Sequence, residues 1–122
     1  MPNMQKFLRG FKFAINGLVY AIRTQLNVRV QLFSVLIVAV AGFCYQISSL
    51  EWLAVVICIG AVLLAELMNT AIETLVDVVS PEFNTKAGLV KDIAAAAVLI
   101  TALMALAVAL IIFVPKIFFN AA

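Results

Sequence analysis

Three long apolar segments restrict what this chain can fold into more than any other feature of the sequence. They cover about residues 28–47, 52–79 and 89–114. A helix of roughly 20 apolar residues spans the hydrocarbon core of a bilayer, which is about 30 Å thick. Hydrophobic residues make up 66% of the 122 residues, against about 45–50% in soluble globular proteins. We therefore predict an all-α integral membrane protein with one domain, residues 1–122, and three transmembrane helices.

Residues 1–26 have a different pattern, in which apolar side chains recur at helical spacing: Phe7, Phe11, Ile15, Leu18 and Ile22. Basic and polar residues, among them Lys6, Arg9 and Arg23, occupy the other faces. This pattern is typical of an amphipathic helix that lies in the membrane interface. An ordinary surface helix is the alternative, but the chain offers it no soluble core to pack against.

The charge distribution predicts the orientation in the membrane. Residues 1–50 contain five basic side chains and no acidic one: Lys6, Arg9, Lys12, Arg23 and Arg29. The first connection between spans carries Glu51 and no basic residue, whereas the second carries Lys86 and Lys91. Positive charge favours the cytoplasmic side, so we expect the N-terminus and the second connection to be cytoplasmic. Three spans place the C-terminus on the opposite side, where Lys116 is an exception to this rule.

Several functional classes are disfavoured by what the sequence does not contain. Without a histidine, the chain has neither His-based catalysis nor a His metal site. The two common glycine-rich nucleotide loops, GxxxxGK[ST] and GxGxxG, are also absent. Cys44 and Cys58 lie within apolar segments, where we expect small hydrophobic side chains rather than a disulfide. We expect no nucleic-acid partner.

Four polar residues interrupt the second apolar segment at helical spacing: Glu66, Asn69, Glu73 and Asp77. On a helix that advances 100° per residue, these positions fall within an arc of about 80°. They form one face over three turns, which we call the acidic stripe. A carboxylate facing hydrocarbon is costly, so the acidic stripe must contact protein, water or a ligand.

The residues near the acidic stripe allow three interpretations. Carboxylates can hold Mg²⁺ together with substrate phosphates, and nearby lysines such as Lys91 can neutralise phosphate charge, as phosphoryl transfer requires. Alternatively, the polar residues form hydrogen bonds between helices and fix an oligomer. A proton or ion path is the third interpretation, but the earlier half of the span, from Trp52 to Ala65, offers no charged residue. The pattern alone favours an enzyme site only modestly over the structural interpretation.

Two motifs carry a resemblance to a known family. ELMNTAIETLVD, residues 66–77, is followed by KDIAAAAVL, residues 91–99, and this pattern resembles the bacterial diacylglycerol kinases. The resemblance extends to GLVYAIRTQLNVR, ISSLEW and IIFVPK, with the undecaprenol-kinase-like branch the more similar. It implies a small lipid kinase of the bacterial inner membrane, built as a homotrimer of one surface helix and three transmembrane helices per chain. The expected reaction transfers a phosphoryl group from ATP to a diacylglycerol or undecaprenol hydroxyl.

The resemblance also implies roles for individual residues. Glu66 corresponds to the catalytic base, and Glu73 to a ligand of the Mg²⁺ that accompanies ATP. Asn69 and Asp77 correspond to residues that orient these groups. Trp52 and Ala95, together with Glu66, correspond to positions that contact the lipid substrate. Further residues correspond to nucleotide-binding positions: Lys6, Arg9, Phe13, Gln25, Glu82, Phe83, Asn84, Lys91 and Asp92.

Two positions depart from the family pattern. A second metal-binding carboxylate is common at the position of Gln25, which offers only a neutral amide oxygen. Gln31 occupies a position that is often His or Glu in relatives. The first departure leaves open an alternative function, in which the chain is a weakly active or non-catalytic scaffold with the same fold.

Overall fold

The computed structural model describes residues 2–119, which form four helices joined by short connections. The helices are α1 (Pro2–Thr24), α2 (Leu26–Cys44), α3 (Ser49–Val79) and α4 (Thr85–Phe118). The last three are long and apolar enough to cross a membrane. The prediction of an all-α chain with three helices able to span a membrane is therefore confirmed.

The corner between α1 and α2 consists of one residue, Gln25, whose backbone is extended. Arg29 stabilises this corner from the first turn of α2. Its guanidinium Nη1 donates hydrogen bonds to the carbonyl oxygens of Ile22 and Arg23, at 3.0 and 2.9 Å. These carbonyls belong to the last turn of α1, where no partner within the helix is available to them. Arg29 thus fixes the direction in which α1 leaves the bundle.

The turn between α2 and α3 depends on close contact with an aromatic ring. Gly42 lies against Trp52, and a Cβ atom at Gly42 would come within 2.6 Å of the indole ring. The turn then passes through Gln46, which has a positive φ of 51°. A small apolar cluster covers the same region, formed by Ile47, Val55 and Ile112. The absence of a side chain at Gly42 therefore allows Trp52 to pack across the end of α2.

The N-terminus of α3 has a capping box. Ser48 Oγ accepts a hydrogen bond from the Glu51 N–H at 3.2 Å, and Glu51 Oε1 accepts one from the Ser48 N–H at 2.9 Å. The same Glu51 oxygen is 3.2 Å from the Lys116 ammonium on α4. One carboxylate therefore both caps α3 and joins it to the end of α4.

Helix α4 is longer at both ends than the apolar segment from which it was predicted. It begins at Thr85 rather than near residue 89, because the Asn84 side chain caps it. It also continues through Pro115 to Phe118, where the sequence predicted an end. Proline removes an N–H donor and its ring crowds the carbonyl four residues earlier, yet the helix continues for three residues beyond it. The Phe119 N–H donates to the Pro115 carbonyl at 2.8 Å and closes the last turn.

The antiparallel pair of α3 and α4 forms most of the packing, with α2 against α3 and α1 against both α2 and α3. Along α1 only Ala21 is buried. Most large apolar side chains face outward, so the core of the chain is small. Cys44 and Cys58 are both free thiols, as expected from their apolar surroundings.

Candidate active site

The acidic stripe passes from the interior of the chain to its surface. Glu66 is 1% exposed and Asn69 is 6% exposed, so both are buried. Glu73 is half-buried, and Asp77, at the end of the stripe, is exposed. One helical face thus carries a carboxylate that is shielded from solvent at one end and an accessible carboxylate at the other. We call this end of the α3–α4 pair the stripe end, and the opposite end the Trp52 end.

Amides on α2 surround the Glu66 carboxyl group. Gln31 Nε2 donates to Glu66 Oε2 at 3.5 Å. The side chains of Asn27, one turn earlier on α2, and of Asn69 also lie beside this carboxyl group. The other carboxyl oxygen, Oε1, has no hydrogen-bond partner among the described residues. Glu66 is therefore held on one side and available to a donor on the other.

Asn69 links the buried part of the acidic stripe to Glu73. Its Nδ2 donates to Glu73 Oε1 at 3.2 Å, one helical turn further along α3. The hydroxyl of the buried Thr70 donates a hydrogen bond to the main-chain carbonyl oxygen of Glu66, at 2.9 Å. The Asn69 amide therefore holds one Glu73 oxygen by a hydrogen bond.

Lys91 reaches from α4 to the exposed end of the acidic stripe. Its Nζ is 2.5 Å from Asp77 Oδ1. Glu73 is also near enough to interact electrostatically with the ammonium. Asp92, the next residue, is exposed. The structure thus brings Lys91 to the acidic stripe, with Asp77 as its direct partner.

Three buried acceptor oxygens near Glu66 have no donor within the described part of the chain: Gln31 Oε1, Glu66 Oε1 and Asn69 Oδ1. A buried acceptor without a donor costs free energy on the order of 1–3 kcal/mol. Three of them in one cluster are unusual for a site with a purely structural role. The arrangement favours a ligand that brings hydroxyl or other donor groups into this cluster.

A cavity of about 340 Å³ lies between α2, α3 and α4 and reaches this cluster. Gln31 lines it at one end and Phe113 at the other, and the side chains between them are mostly Val, Leu, Ile and Ala. The groove ends at Gln31, which donates to the buried Glu66 carboxylate. An apolar groove with a polar end is suited to a ligand with a hydrocarbon chain and a polar head.

The connection between α3 and α4 contains the three residues expected to contact the nucleoside. Asn84 is the N-cap of α4, and its Oδ1 accepts hydrogen bonds from the N–H groups of Lys86 and Ala87, at 2.9 and 3.2 Å. Glu82 and Phe83 are exposed. The side chain of Asn84 therefore has a structural partner already, whereas those of Glu82 and Phe83 point outward.

The predicted nucleotide residues on α1 are not joined to the acidic stripe within residues 2–119. Lys6, Arg9 and Phe13 are exposed, and the structure gives none of the three a hydrogen bond or ion pair with the stripe. Gln25 is half-buried at the corner between α1 and α2, and its side chain forms no capping hydrogen bond. Its amide oxygen is therefore not used in capping α2.

The two further residues expected near the lipid occupy different levels of the bundle. Trp52 precedes Glu66 by 14 residues on α3, a rise of about 21 Å along the helix axis. Its ring packs against Phe43, with centroids 4.9 Å apart. Ala95 is exposed on α4, one turn after Lys91. Trp52 is thus at the far end of the bundle from the Glu66 carboxyl group.

The residues present fit a metal ion that arrives with phosphates rather than one enclosed by protein. Residues 2–119 contain no group of three or more Asp, Glu, Cys or His side chains arranged as a metal site. Mg²⁺ is commonly held by one or two carboxylates and completed by substrate phosphates and water. Glu73, half-buried and oriented by Asn69, is a donor of this kind.

Sequence reasoning named Gln31 only as a departure from the family pattern, and it missed that Gln31 and Asn27 lie beside Glu66. Asn27 and Gln31 are four residues apart in a segment that is otherwise mostly apolar. Residues with this spacing share one face of a helix. A search for polar pairs on each apolar span would have detected that face, although not its partner.

Comparisons with a family model and with individual proteins all match this chain to lipid kinases. The family model for "Prokaryotic diacylglycerol kinase" matches residues 12–113. The chain is 33% identical to an undecaprenol kinase of Bacillus subtilis over 113 residues, which cover 93% of this chain and 92% of that protein. It is also 33% identical to a diacylglycerol kinase of Synechocystis sp. over 108 residues, which cover 88% of this chain and 60% of that protein. The chain therefore belongs to the prokaryotic diacylglycerol kinase family and is a membrane-bound lipid kinase.

Proposed function

We propose that this protein transfers the γ-phosphoryl group of Mg²⁺-bound ATP to the primary hydroxyl of diacylglycerol or undecaprenol. The observation that carries the proposal is the state of Glu66. Its carboxyl group is buried and has one unpartnered oxygen, and the other oxygen accepts a hydrogen bond from Gln31, which lines the end of an apolar cavity. A carboxylate in this position can accept the proton of a lipid hydroxyl.

The remaining polar groups of the site suit the charge of a nucleotide. Glu73 would hold Mg²⁺, which neutralises phosphate charge when bound, and Gln25 would contribute its amide oxygen. The Lys91 ammonium interacts electrostatically with Glu73 and would contact the phosphates. Lys6 and Arg9 on α1 would add positive charge, with Phe13, Glu82, Phe83, Asn84 and Asp92 around the nucleoside. Positioning and charge neutralisation of this kind account for most of the catalysis of phosphoryl transfer.

The length of α3 supports a site at the membrane surface. Its 31 residues measure about 46 Å, whereas the hydrocarbon core is about 30 Å thick. Roughly 16 Å of the helix therefore lies outside hydrocarbon, and the acidic stripe occupies its C-terminal half. Lipid hydroxyls and water-soluble ATP meet at this depth. We place the stripe end and the N-terminus on the cytoplasmic side of a bacterial inner membrane, in agreement with the basic residues of α1.

We further propose that α1 lies in the membrane interface and that the protein is a homotrimer. The exposed positions of α1 include both basic and large apolar side chains, which suits the boundary between lipid headgroups and hydrocarbon. Asp77 and half-buried Glu73 lie on one face of a long apolar helix. Neighbouring copies of the chain would cover part of this face and exclude lipid from it.

Of the two candidate lipids, undecaprenol is favoured by the extent of the match. The relative named undecaprenol kinase aligns with almost the full length of both chains. The diacylglycerol kinase relative contains additional sequence outside the match. Both lipids present a hydroxyl at the interface, so the proposed chemistry is the same for either.

Transfer of labelled phosphate tests the proposal directly. The purified protein, in lipid–detergent micelles with saturating Mg²⁺, would be given γ-labelled ATP and either undecaprenol or diacylglycerol. Label in the extracted lipid, with undecaprenol the better acceptor, is the expected result. No label in either lipid would contradict the kinase proposal and favour the non-catalytic scaffold suggested by Gln25.

A further inference from the structure

The ion pair between Asp77 and Lys91 has a short distance but an exposed location. Its Nζ and Oδ1 atoms are 2.5 Å apart, while the Asp77 and Lys91 side chains are 66% and 38% exposed. Ion pairs in water contribute little to folding stability, because solvent screens them and two long side chains lose freedom. Stability alone therefore does not account for this contact.

The surroundings of the ion pair indicate a second role. Asp77 lies one turn after Glu73 on the same face of α3, and the Lys91 ammonium interacts with both carboxylates. An ammonium has three N–H donors. One is used by Asp77, and the described residues provide no hydrogen-bond partner for the others. Lys91 therefore presents free N–H groups at the end of the acidic stripe, which also carries the residue proposed to hold Mg²⁺.

We propose that Asp77 is a positioning residue, which anchors the Lys91 ammonium so that its free N–H groups meet the phosphates of ATP. This inference rests on the proposed kinase function. A lysine side chain has four flexible carbons, and confining it costs conformational entropy. Asp77 confines it before the nucleotide binds, so less ordering remains for the transition state.

The first test is a double-mutant cycle on Asp77→Ala and Lys91→Ala, measured as kcat/KM for ATP. We expect Asp77→Ala to lower kcat/KM about 10- to 100-fold, as misplacement of a catalytic group does. The double variant should be no slower than Lys91→Ala alone, because Asp77 then has nothing to position. Asp77→Glu, which keeps the charge, should retain more activity than Asp77→Ala.

The second test separates positioning from a simple link between α3 and α4. Exchanging the two residues, Asp77→Lys with Lys91→Asp, restores the ion pair but places the ammonium on α3. We expect this variant to recover the Tm of the unaltered protein and to remain at least about tenfold slower in kcat/KM for ATP. Full recovery of both would show that the pair is only structural, and would overturn the proposal.

The ion pair at the Trp52 end provides a matched control. Glu51→Ala and Lys116→Ala break a similar lysine–carboxylate contact in the same two helices. Neither should change KM for ATP. Asp77→Ala with normal kcat/KM for ATP would overturn the positioning role while leaving the kinase function intact. Absence of transfer by the unaltered protein would instead overturn the kinase function, and this inference with it.

Discussion

The two ends of the α3–α4 pair each contain one lysine–carboxylate contact, but their surroundings differ. At the Trp52 end, Glu51 accepts hydrogen bonds from the Ser48 N–H and Lys116, and the pair is 28% and 22% exposed. At the stripe end, the ion pair is more exposed. Buried acceptors without donors lie further along the same face, including Glu66 Oε1. Contacts within the chain satisfy the polar groups at the first end, whereas buried acceptors at the second end have no donor within residues 2–119.

The distance between the two ion pairs along α3 and α4 explains how four charged side chains fit in so apolar a chain. Glu51 and Asp77 are 26 residues apart on α3, and Lys91 and Lys116 are 25 apart on α4. Both intervals correspond to about 38–39 Å, which exceeds the roughly 30 Å of hydrocarbon. All four charges can therefore lie at the boundaries with water. In the proposed orientation, the pairing with Glu51 accounts for the one lysine, Lys116, on the non-cytoplasmic side.

The largest contrast is expected from removing a carboxylate at each end. Glu66→Gln keeps the shape of the side chain but cannot accept a proton, so kcat should fall about 10²- to 10⁴-fold. Glu51→Gln is the matched control at the Trp52 end and should leave kcat unchanged. The assay is phosphate transfer to lipid in the same micelles. Full activity of Glu66→Gln would show that another group is the base.

Asn69→Leu tests whether a polar residue at the stripe end lowers the folding stability of the protein while it supports phosphate transfer. Leucine removes the buried, unpartnered Oδ1 and with it the desolvation cost of that acceptor, on the order of 1–3 kcal/mol. It also removes the donor to Glu73, for which a loss of activity of about 10- to 100-fold is typical near a metal ligand. We expect Tm to stay equal or rise in thermal unfolding while kcat/KM falls. A large drop in Tm would contradict this interpretation.

Gly42→Ala should have the opposite effect, because it alters the Trp52 end. The new Cβ would lie 2.6 Å from the Trp52 ring, which must move. We expect a loss of about 1–3 kcal/mol in the free energy of unfolding, with KM for ATP unchanged. Gly60→Ala is the control, since no atom lies within 4 Å of a Cβ there. Equal stability of the two variants would contradict the close contact.

Gln25→Glu tests whether residue 25 is a ligand of Mg²⁺, and its expected effect on the rate is smaller than those above. A carboxylate is a stronger ligand for Mg²⁺ than an amide oxygen. The Mg²⁺ concentration needed for half-maximal rate should therefore decrease, by about threefold to tenfold if one charged ligand is gained. An unchanged or higher requirement would show that this position does not contact the metal.

The smallest expected effect is at Gln46, where the turn of the Trp52 end has a positive φ of 51°. This conformation is costly for residues with a side chain and favourable for glycine. Gln46→Gly should therefore raise the free energy of unfolding by up to about 1 kcal/mol. Chemical unfolding in detergent would measure the change, and phosphate transfer should be unaffected. Destabilisation would indicate that the Gln46 side chain contributes a contact of its own.

The sequence predicted the polar face at the stripe end, but only part of the structure at the Trp52 end. The acidic stripe was evident from its spacing, because helical periodicity alone places four polar residues on one face. At the Trp52 end, SSLE, residues 48–51, has the pattern of a capping box, so the start of α3 was detectable from sequence. Its ion pair with Lys116 was not, since the two residues are 65 positions apart.

By itself, the sequence determined the all-α membrane class, the three apolar helices and the family, because these depend on composition, periodicity and local motifs. Only the tertiary structure decided which polar groups meet: Lys91 with Asp77, Gln31 with Glu66, and Lys116 with Glu51. It also decided that α4 continues through Pro115. The physical reason is that side-chain partners depend on how packed helices are rotated and aligned, and one chain segment does not encode the position of another.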